Sequence, residues 1–497
     1  MNRDRRQSPR MSLRIVAAGL AVALAAALMF VVLGAYGSRA GYWGARQFQV
    51  QNLAGRTVAV TATLYHWDGS SEPAMRFSLP PTGTLYVPSP PFNVVTTGTL
   101  YFDSDGPIAA AIAHLEDGQL EIGNEVYETG AGEQITKTNS LMADLERNVS
   151  AATSSVVVVS KPPTDGGGYT YTLMLYNLDG TPVVTETWYV SDPRPRMWQL
   201  NLGLENRLPP LWQGSGHLRV EGLPGPSPLV QVWRGGLNDY DAYRGGMESG
   251  VELIVPWALP ENVAGGLHSK LRVFNPNTTA VPIVVEFEGQ PPVTASLSPH
   301  QLVVIPVPGA LNAGVSIRIR SLNDLPIAAG MHTLGLTPAP LGRMSYPAIA
   351  TGDLRRHAAV PLVYHNYLAW THLPPYGTLE ILNASNITAT VEATYRAATL
   401  GLEPAAGPES VTVVFQLGPW QHRNLLTVQA PPPGTTNWSL FVRSTQRTAV
   451  LAVGFRQTTT LDHWFAYRGQ PYLAESQTTY IPLMSFNRVN LFERPGR

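Results

Sequence analysis

The 497-residue chain has no cysteine. That excludes disulfides, cysteine-ligated zinc, iron–sulfur clusters and thiol nucleophiles together. Charge is also sparse: Asp, Glu, Lys and Arg make up 14% of residues, against roughly 25% in ordinary soluble chains. Only three of the 34 basic residues are lysine, Lys137, Lys161 and Lys270. A net charge of −1 gives no general attraction to nucleic acid, and no such partner is expected. The sequence has no G-x-S-x-G, H-E-x-x-H, P-loop or G-x-G-x-x-G run, so the common nucleophile, zinc and phosphate signatures fail. The chain reads as a non-enzyme without cofactors. Helical patterning is scarce too. Outside the N-terminus only residues 139–147, with Asn139 as a cap and apolar Leu141, Met142 and Leu145, read as a short helical insert.

What is present begins with an uncharged apolar run at residues 15–36, IVAAGLAVALAAALMFVVLGAY. As a helix it would be about 33 Å long, enough to cross a bilayer. Arg3, Arg5, Arg6, Arg10 and Arg14 precede it against one acid, Asp4. The positive-inside tendency therefore places residues 1–14 in the cytoplasm and everything after about Gly37 outside. The competing reading is a cleaved signal segment, with Ser38-Arg39-Ala40 as a small-x-small site. The length of the run favours an anchor. The expected location is the cell membrane, single-pass, with the bulk extracellular, or secreted if the segment is cleaved.

Gly (45) and Pro (43) are abundant, which points to short strands joined by turns. Four strands end in asparagine: QFQVQN at Asn52, TLMLYN at Asn177, KLRVFN at Asn275 and TLEILN at Asn383. An asparagine there can bond its own backbone two residues on, ending a strand and opening a turn. Each is followed by a β-branched strand that reaches an aromatic: Tyr65, Tyr189, Phe287 and Tyr395. In the third unit Val281, Ile283, Val285 and Phe287 alternate with their neighbours; in the fourth, Ala389, Val391, Ala393 and Tyr395 do the same. Period-two alternation marks half-buried strands. Pro-Ile-Ala-Ala opens a small-residue strand at Pro107 and again at Pro326, with looser copies over 217–234 and 439–455. A proline-bearing apolar strand recurs over 242–257, 345–363 and 466–484.

The third unit counts seven short strands in about a hundred residues, the pattern of an immunoglobulin-like sandwich. Propeller blades repeat every 40–50 residues or so, and the period here is too long for them. The chain over residues 45–484 resembles tandem β-sandwich, immunoglobulin-like repeats of secreted and surface bacterial proteins. The likeness is carried by VPLVYHNYLAWTH and TLEILNASNITATVEATY with a later PIAA strand. The resemblance implies a cell-surface or matrix module and assigns no residue a role.

The expected fold is therefore all-β: about four tandem immunoglobulin-like sandwiches after one transmembrane helix. The divisions are 1–14 cytoplasmic, 15–36 anchor or signal, 45–150 module one with the helical insert, 151–245 module two, 246–352 module three, 353–470 module four and 471–497 a C-terminal strand and tail. The modules are expected to form an elongated row with weak coupling. The strand at 480–484 has no unit after it. Four modules in line would put module one out of reach, so it is expected to dock locally on module four.

Few residues offer chemistry. Asp103-x-Asp105-Gly106, with Glu116 and Asp117 nearby, opens like a calcium loop but lacks the other ligands and the closing glutamate. A solvated turn is the better reading, as for Asn238-Asp239-x-Asp241. His114 and His332 fall at matching places after Pro-Ile-Ala-Ala, which points to a repeated structural role. His365 and His372 flank a loop and could join His422, but the scatter of histidines favours no metal site. Indole faces are platforms for sugar rings or cations, and Trp67, Trp370, Trp420 and Trp438 sit beside turn-like sequence. They are the candidate carbohydrate contacts, weighed against the favoured reading that they fill cores and junctions. Asn277, Asn383, Asn386 and Asn437 fit the glycosylation triplet, which Thr-rich β sequence produces freely. The expected function is a surface-anchored structural or adhesive protein, with a carbohydrate-binding accessory protein as the alternative. The membrane is its partner through 15–36, and wall or matrix polysaccharide or surface proteins are candidate partners.

Overall fold

A computed structural model describes residues 47–66, 69–87, 98–116, 119–123, 139–148, 153–161, 168–192, 194, 196–222, 229–235, 240–244, 249–261, 267–308, 314–335, 342–364, 378–400, 410–425, 437–457, 462–471 and 479–483. The expected membrane segment, 15–36, lies outside that set. Among the described residues no helix is long and apolar enough to cross a membrane.

The described chain is built of antiparallel β-sheet in four groups. The first holds β1 (Gln47–Asn52), β2 (Val58–His66), β3 (Met75–Leu79), β4 (Thr84–Val87), β5 (Gly98–Ser104), β6 (Ile108–Glu116) and β7 (Gln119–Gly123). The second holds β8 (Asn139–Asn148), β9 (Thr153–Lys161), β10 (Tyr169–Asn177), β11 (Pro182–Val190), β12 (Arg196–Asn201), β13 (Gln213–Gly222), β14 (Leu229–Gly235) and β15 (Tyr240–Arg244). The third holds β16 (Glu252–Ala258), β17 (Leu267–Phe274), β18 (Val281–Phe287), β19 (Val293–Leu297), β20 (Leu302–Pro306), β21 (Val315–Ser321), β22 (Ala328–Gly335), β23 (Gly342–Pro347) and β24 (Ile349–Ala350). The fourth holds β25 (Arg355–Tyr364), β26 (Thr378–Asn383), β27 (Ala389–Ala397), β28 (Thr399–Leu400), β29 (Ser410–Leu417), β30 (His422–Asn424), β31 (Asn437–Gln457), β32 (Asp462–Arg468) and β33 (Gln470–Pro471). Last comes β34 (Thr479–Leu483).

One plan underlies all four. With positions lettered a to h in chain order, one sheet runs d-c-f-a and the other e-b-g-h. Module three shows it plainly as β19-β18-β21-β16 facing β20-β17-β22-β23. Module two repeats it as β11-β10-β13-β8 and β12-β9-β14-β15. In module four the long β31 serves twice: its first half pairs β25 and β27, its second half β26 and β32. Among the described residues module one contributes b to h. Its a position is filled by β34, which runs antiparallel to β5 with Thr479 opposite Phe102 and Leu483 opposite Gly98.

That pairing overturns the expectation of local docking on module four. The expectation assumed a straight row, and the array is closed. The last strands of neighbouring modules touch in sequence, β7 with β15, β15 with β23, β23 with β32 and β32 with β7, and β15 also reaches β32. Thr399 and Leu400 of β28 add a short parallel rung to β4 of module one, sealing the same joint.

Weak coupling between modules fails for a related reason: the cores are shared. The core of module two takes in Phe274, Leu302 and Ala328 of module three. That of module three takes in Leu451, Val453 and Ala466 of module four. Module four's includes Ala111 of module one.

Two further readings change. Residues 139–147 are not a helix but most of β8, the a strand of module two, paired with β13. Leu141, Met142, Ala143 and Leu145 are all buried, and Asp144 with them. A strand covered on both faces loses its alternation, and its apolar spacing then mimics a helical one. Asn177 ends position c, whereas Asn52, Asn275 and Asn383 close position b. The second copy of the asparagine repeat is therefore out of register by one strand.

Candidate functional site: the buried junctions between modules

The asparagine repeat is a clamp in three modules. Asn275 Nδ2 donates to the carbonyl oxygens of Thr279 (2.8 Å), Leu297 (3.1 Å) and Ser298 (2.9 Å). Asn52 makes the same donations to Arg56, Leu79 and Pro80, and Asn383 to Ile387, Leu417 and Gly418. Each side chain thus ties the b–c turn to the d–e turn, at full burial. Full burial also takes Asn383 out of consideration as a glycosylation acceptor. The three d–e turns carry a non-glycine residue in the left-handed region: Thr82 (φ 53°), His300 (φ 56°) and Trp420 (φ 55°). Bulky side chains avoid this region unless surrounding contacts compensate. At His300 and Trp420 the compensation crosses a junction. The His300 ring stacks on Tyr176 of module two, centroids 4.7 Å apart. The Trp420 ring lies under the Arg318 guanidinium of module three at 4.1 Å.

Strand b then presents alternate residues to two different cores. Phe48 and Val50, Leu271 and Val273, and Leu379 and Ile381 face their own sandwich. The intervening residues face the preceding module around the array. Three places before the clamp stand Gln49, Arg272 and Glu380; one place before stand Gln51, Phe274 and Leu382. Opposite the latter, at the start of strand e, are Thr84, Leu302 and His422. All but His422 are buried. Module two has Val158 on that outward face, also buried, between the core residues Val157 and Val159.

Each junction therefore has its own chemistry. Between modules four and one it is amide and hydroxyl. Gln49 Nε2 donates to the carbonyls of Pro361 (2.6 Å) and Trp438 (3.0 Å), and Thr84 shares a 2.6 Å hydrogen bond with Ser439. Between two and three it is ionic. Arg272 Nη1 pairs with Asp144 Oδ1, and Asp144 Oδ2 lies 2.6 Å from His332 Nδ1. The Leu302 N–H donates to the Leu178 carbonyl across the same joint at 3.0 Å. An Asp, a His and a Ser meet here, but not as a hydrolytic relay. Ser345 Oγ lies 3.3 Å from His332 Nδ1, the nitrogen that also contacts Asp144, whereas a relay uses the two ring nitrogens for different partners.

Between three and four, His422 Nδ1 is 2.5 Å from Glu288 Oε2, which also accepts from the Ser316 N–H and hydroxyl. Burial lowers the pKa of His422, but the hydrogen bond and charge of Glu288 outweigh it and the net shift is upward. Partial burial raises the pKa of Glu288, but the hydrogen bonds and charge of His422 and the bonds from Ser316 outweigh it and the net shift is downward. Glu380 has one carboxylate oxygen without a hydrogen-bond partner. Burial pushes its pKa up to about 7, with nearby His422 pulling down and Glu288 pushing up.

The small-residue strand now has a physical cause. Ala109 of position g meets Leu53, Ala359 and Phe441, and Ala449 meets Ile254 and Ile349. A strand of the preceding module lies directly over these residues, and larger side chains would overpack the joint. His114 and His332 do not match, however. His332 lies opposite Lys270, and the residue in the same register of module one is Ala113, opposite Gln47.

Trp67 and Trp370 lie outside the described residues. Trp438 is fully buried in the core of module four and offers no face to solvent. Trp420 is half-buried at the junction, and its indole N–H is bonded to Asn386 at 2.7 Å. The structure does not bring these two together as a platform. Asp105 caps a turn through the Ala59 N–H and pairs with Arg56. No metal-holding group occurs among the described residues; Asp239, His365 and His372 lie outside them. Sequence reasoning missed the junction residues Gln49, Arg272, Glu380 and Asp144. The available signal was a polar residue at a constant three places before the clamp. No protein-family model matches the chain, and no curated protein matches it either.

Proposed function

We propose that the chain is an exported, membrane-tethered structural or adhesive protein that holds a closed array of four β-sandwiches outside the cell. The carrying observation is closure: β34 completes module one, the buried ionic and amide groups of two other joints are spent on holding modules together, and a partly exposed His422–Glu288 pair ties a third. A cysteine-free exported chain has only such packing for rigidity. The tether is the apolar run 15–36 behind its arginine-rich flank. The pairing of b with e and of c with f supports an immunoglobulin-like reading, while a, d and g stand in the sheet opposite to their place in an immunoglobulin constant domain. The carbohydrate-binding alternative now rests on Trp67 and Trp370 alone, because Trp420 and Trp438 are engaged in packing.

The test is the full-length protein carrying a C-terminal epitope, expressed in a bacterium. The epitope should be removed by protease added to intact cells, and the chain should resist alkaline extraction from membranes. An epitope protected in intact cells, or a chain released by alkali, would refute the tethered, outward-facing arrangement. Loss of surface attachment or of envelope integrity on deletion would support the adhesive or structural role. Unchanged attachment and integrity would count against it.

A further inference from the structure

The junctions differ in what they do with protons. At the place where module one puts an amide and module three a guanidinium, module four puts Glu380, 2% exposed. Around it lie Glu288, in the turn after β18 and partly exposed, His422 from β30 and Tyr346 from β23. Arg318 of β21 and Glu252 of β16 pair with each other at the rim, and Arg318 also covers Trp420. The apolar part of the joint holds Ile254, Ile349, Leu354, Leu382 and Ala449. Two acids thus share one histidine, and that histidine is already bonded to Glu288. A second negative charge on Glu380 would be buried with an unpaired oxygen and a like charge beside it, a costly arrangement in a low-dielectric joint.

We propose that the joint between modules three and four is proton-gated: closed while Glu380 carries its proton, and loosened when that proton leaves. The other joints carry no equivalent acid at this position. Because β34 and the amide joint still tie module four to module one, loosening opens a seam within the array without separating the chain. The seam would expose Leu382, Ala449 and Ile254 together.

The sign follows from linkage. Glu380 is raised in the closed state, so its contribution is fully present below the ordinary glutamate range and is lost as pH rises through about 7. His422, also raised, adds stability below its ordinary value and loses it on the alkaline side. Glu288, lowered, loses its contribution only at more acid pH. The joint is tight in mild acid and loose at neutrality and above.

The absence of cysteine supplies the test. In the full-length protein, a single Ala449→Cys reports opening of this seam by its reaction with an uncharged pyridyl disulfide. Ala359→Cys reports the amide joint. Rates are divided by those of each denatured chain to remove thiol ionisation. Between about pH 5 and 7 the relative rate at position 449 should rise by up to about tenfold per pH unit, with position 359 flat. Glu380→Gln should remove most of the rise, leaving only the part that His422 adds near neutrality. His422→Gln should move its midpoint upward, since the imidazolium is what pulls Glu380 down. Equal pH dependence at both positions, or an undiminished rise in Glu380→Gln, would overturn the proposal. Should Glu380→Gln fail to fold, the His422→Gln midpoint decides alone: no shift, or a downward one, refutes the gate. None of these outcomes depends on what the modules bind or where the protein resides.

Discussion

Tyr480 stands directly opposite Tyr101 in the ladder that joins β34 to β5. A residue seventeen places from the C-terminal end of the sequence thus completes the sheet of the first module. A photo-crosslinker at position 480 should therefore capture peptides of module one and none of module four. Deleting residues 476–497 should expose the f strand of module one and accelerate hydrogen exchange in β5 and β2, while β27 and β29 stay protected. Exchange confined to module four would contradict the closed array.

The clamp asparagines should be far more sensitive than their unmatched fellow. Asn275→Ala or Asn383→Ala removes three donations to buried carbonyls and should cost about 2–4 kcal/mol. Asn177 accepts one bond, from the Trp212 indole at 2.9 Å, and Asn177→Ala should cost about 1 kcal/mol. Denaturant titration of the three variants measures the difference.

Asp144 and Arg272 are both almost fully buried across the joint of modules two and three. Arg272→Leu takes the guanidinium away from the buried acid and should destabilise by about 3–5 kcal/mol. Replacing both, Asp144→Leu with Arg272→Met, should cost markedly less than the sum of the single changes. A double-mutant cycle on thermal melts reads the coupling, and strict additivity would count against a paired role.

Acid should act on a different joint from alkali. Burial, with His300 and Arg219 nearby, depresses the His217 pKa to about 4. A base held below its ordinary value contributes fully above about 6.5 and loses that contribution as pH falls through about 4. The loss should reach about 2–3 kcal/mol by pH 4. His217→Gln should flatten this part of the pH–Tm curve, and an unchanged curve would rule His217 out.

Much of a single module was legible from its residues. Alternation at Val281–Phe287 and Ala389–Ala397 located the c strands, and three of the four asparagines located the clamped turns. The strands that failed are the ones buried on both faces. In β8 the second face is covered by module three, so its pattern follows two cores at once. The same reason hid Arg272 and Glu380: on an isolated strand a polar residue opposite the core face reads as solvent-exposed, and only the neighbouring module makes it interior. Nor could local spacing reveal that Trp438 fills a core while Trp420 holds a joint.

The borrowed strand of module one sets a schedule. Phe102 and its partner Thr479 are more than 370 residues apart. At ordinary rates of synthesis, module one waits roughly 20–75 s for its last strand. During that interval the f strand of module one is an open edge, bare of its partner and able to pair with another nascent chain. The first module to be made is the last to be finished, and closing so long a loop is intrinsically slow. Crowded synthesis, with many chains waiting at this stage together, is where the fold is most exposed to error.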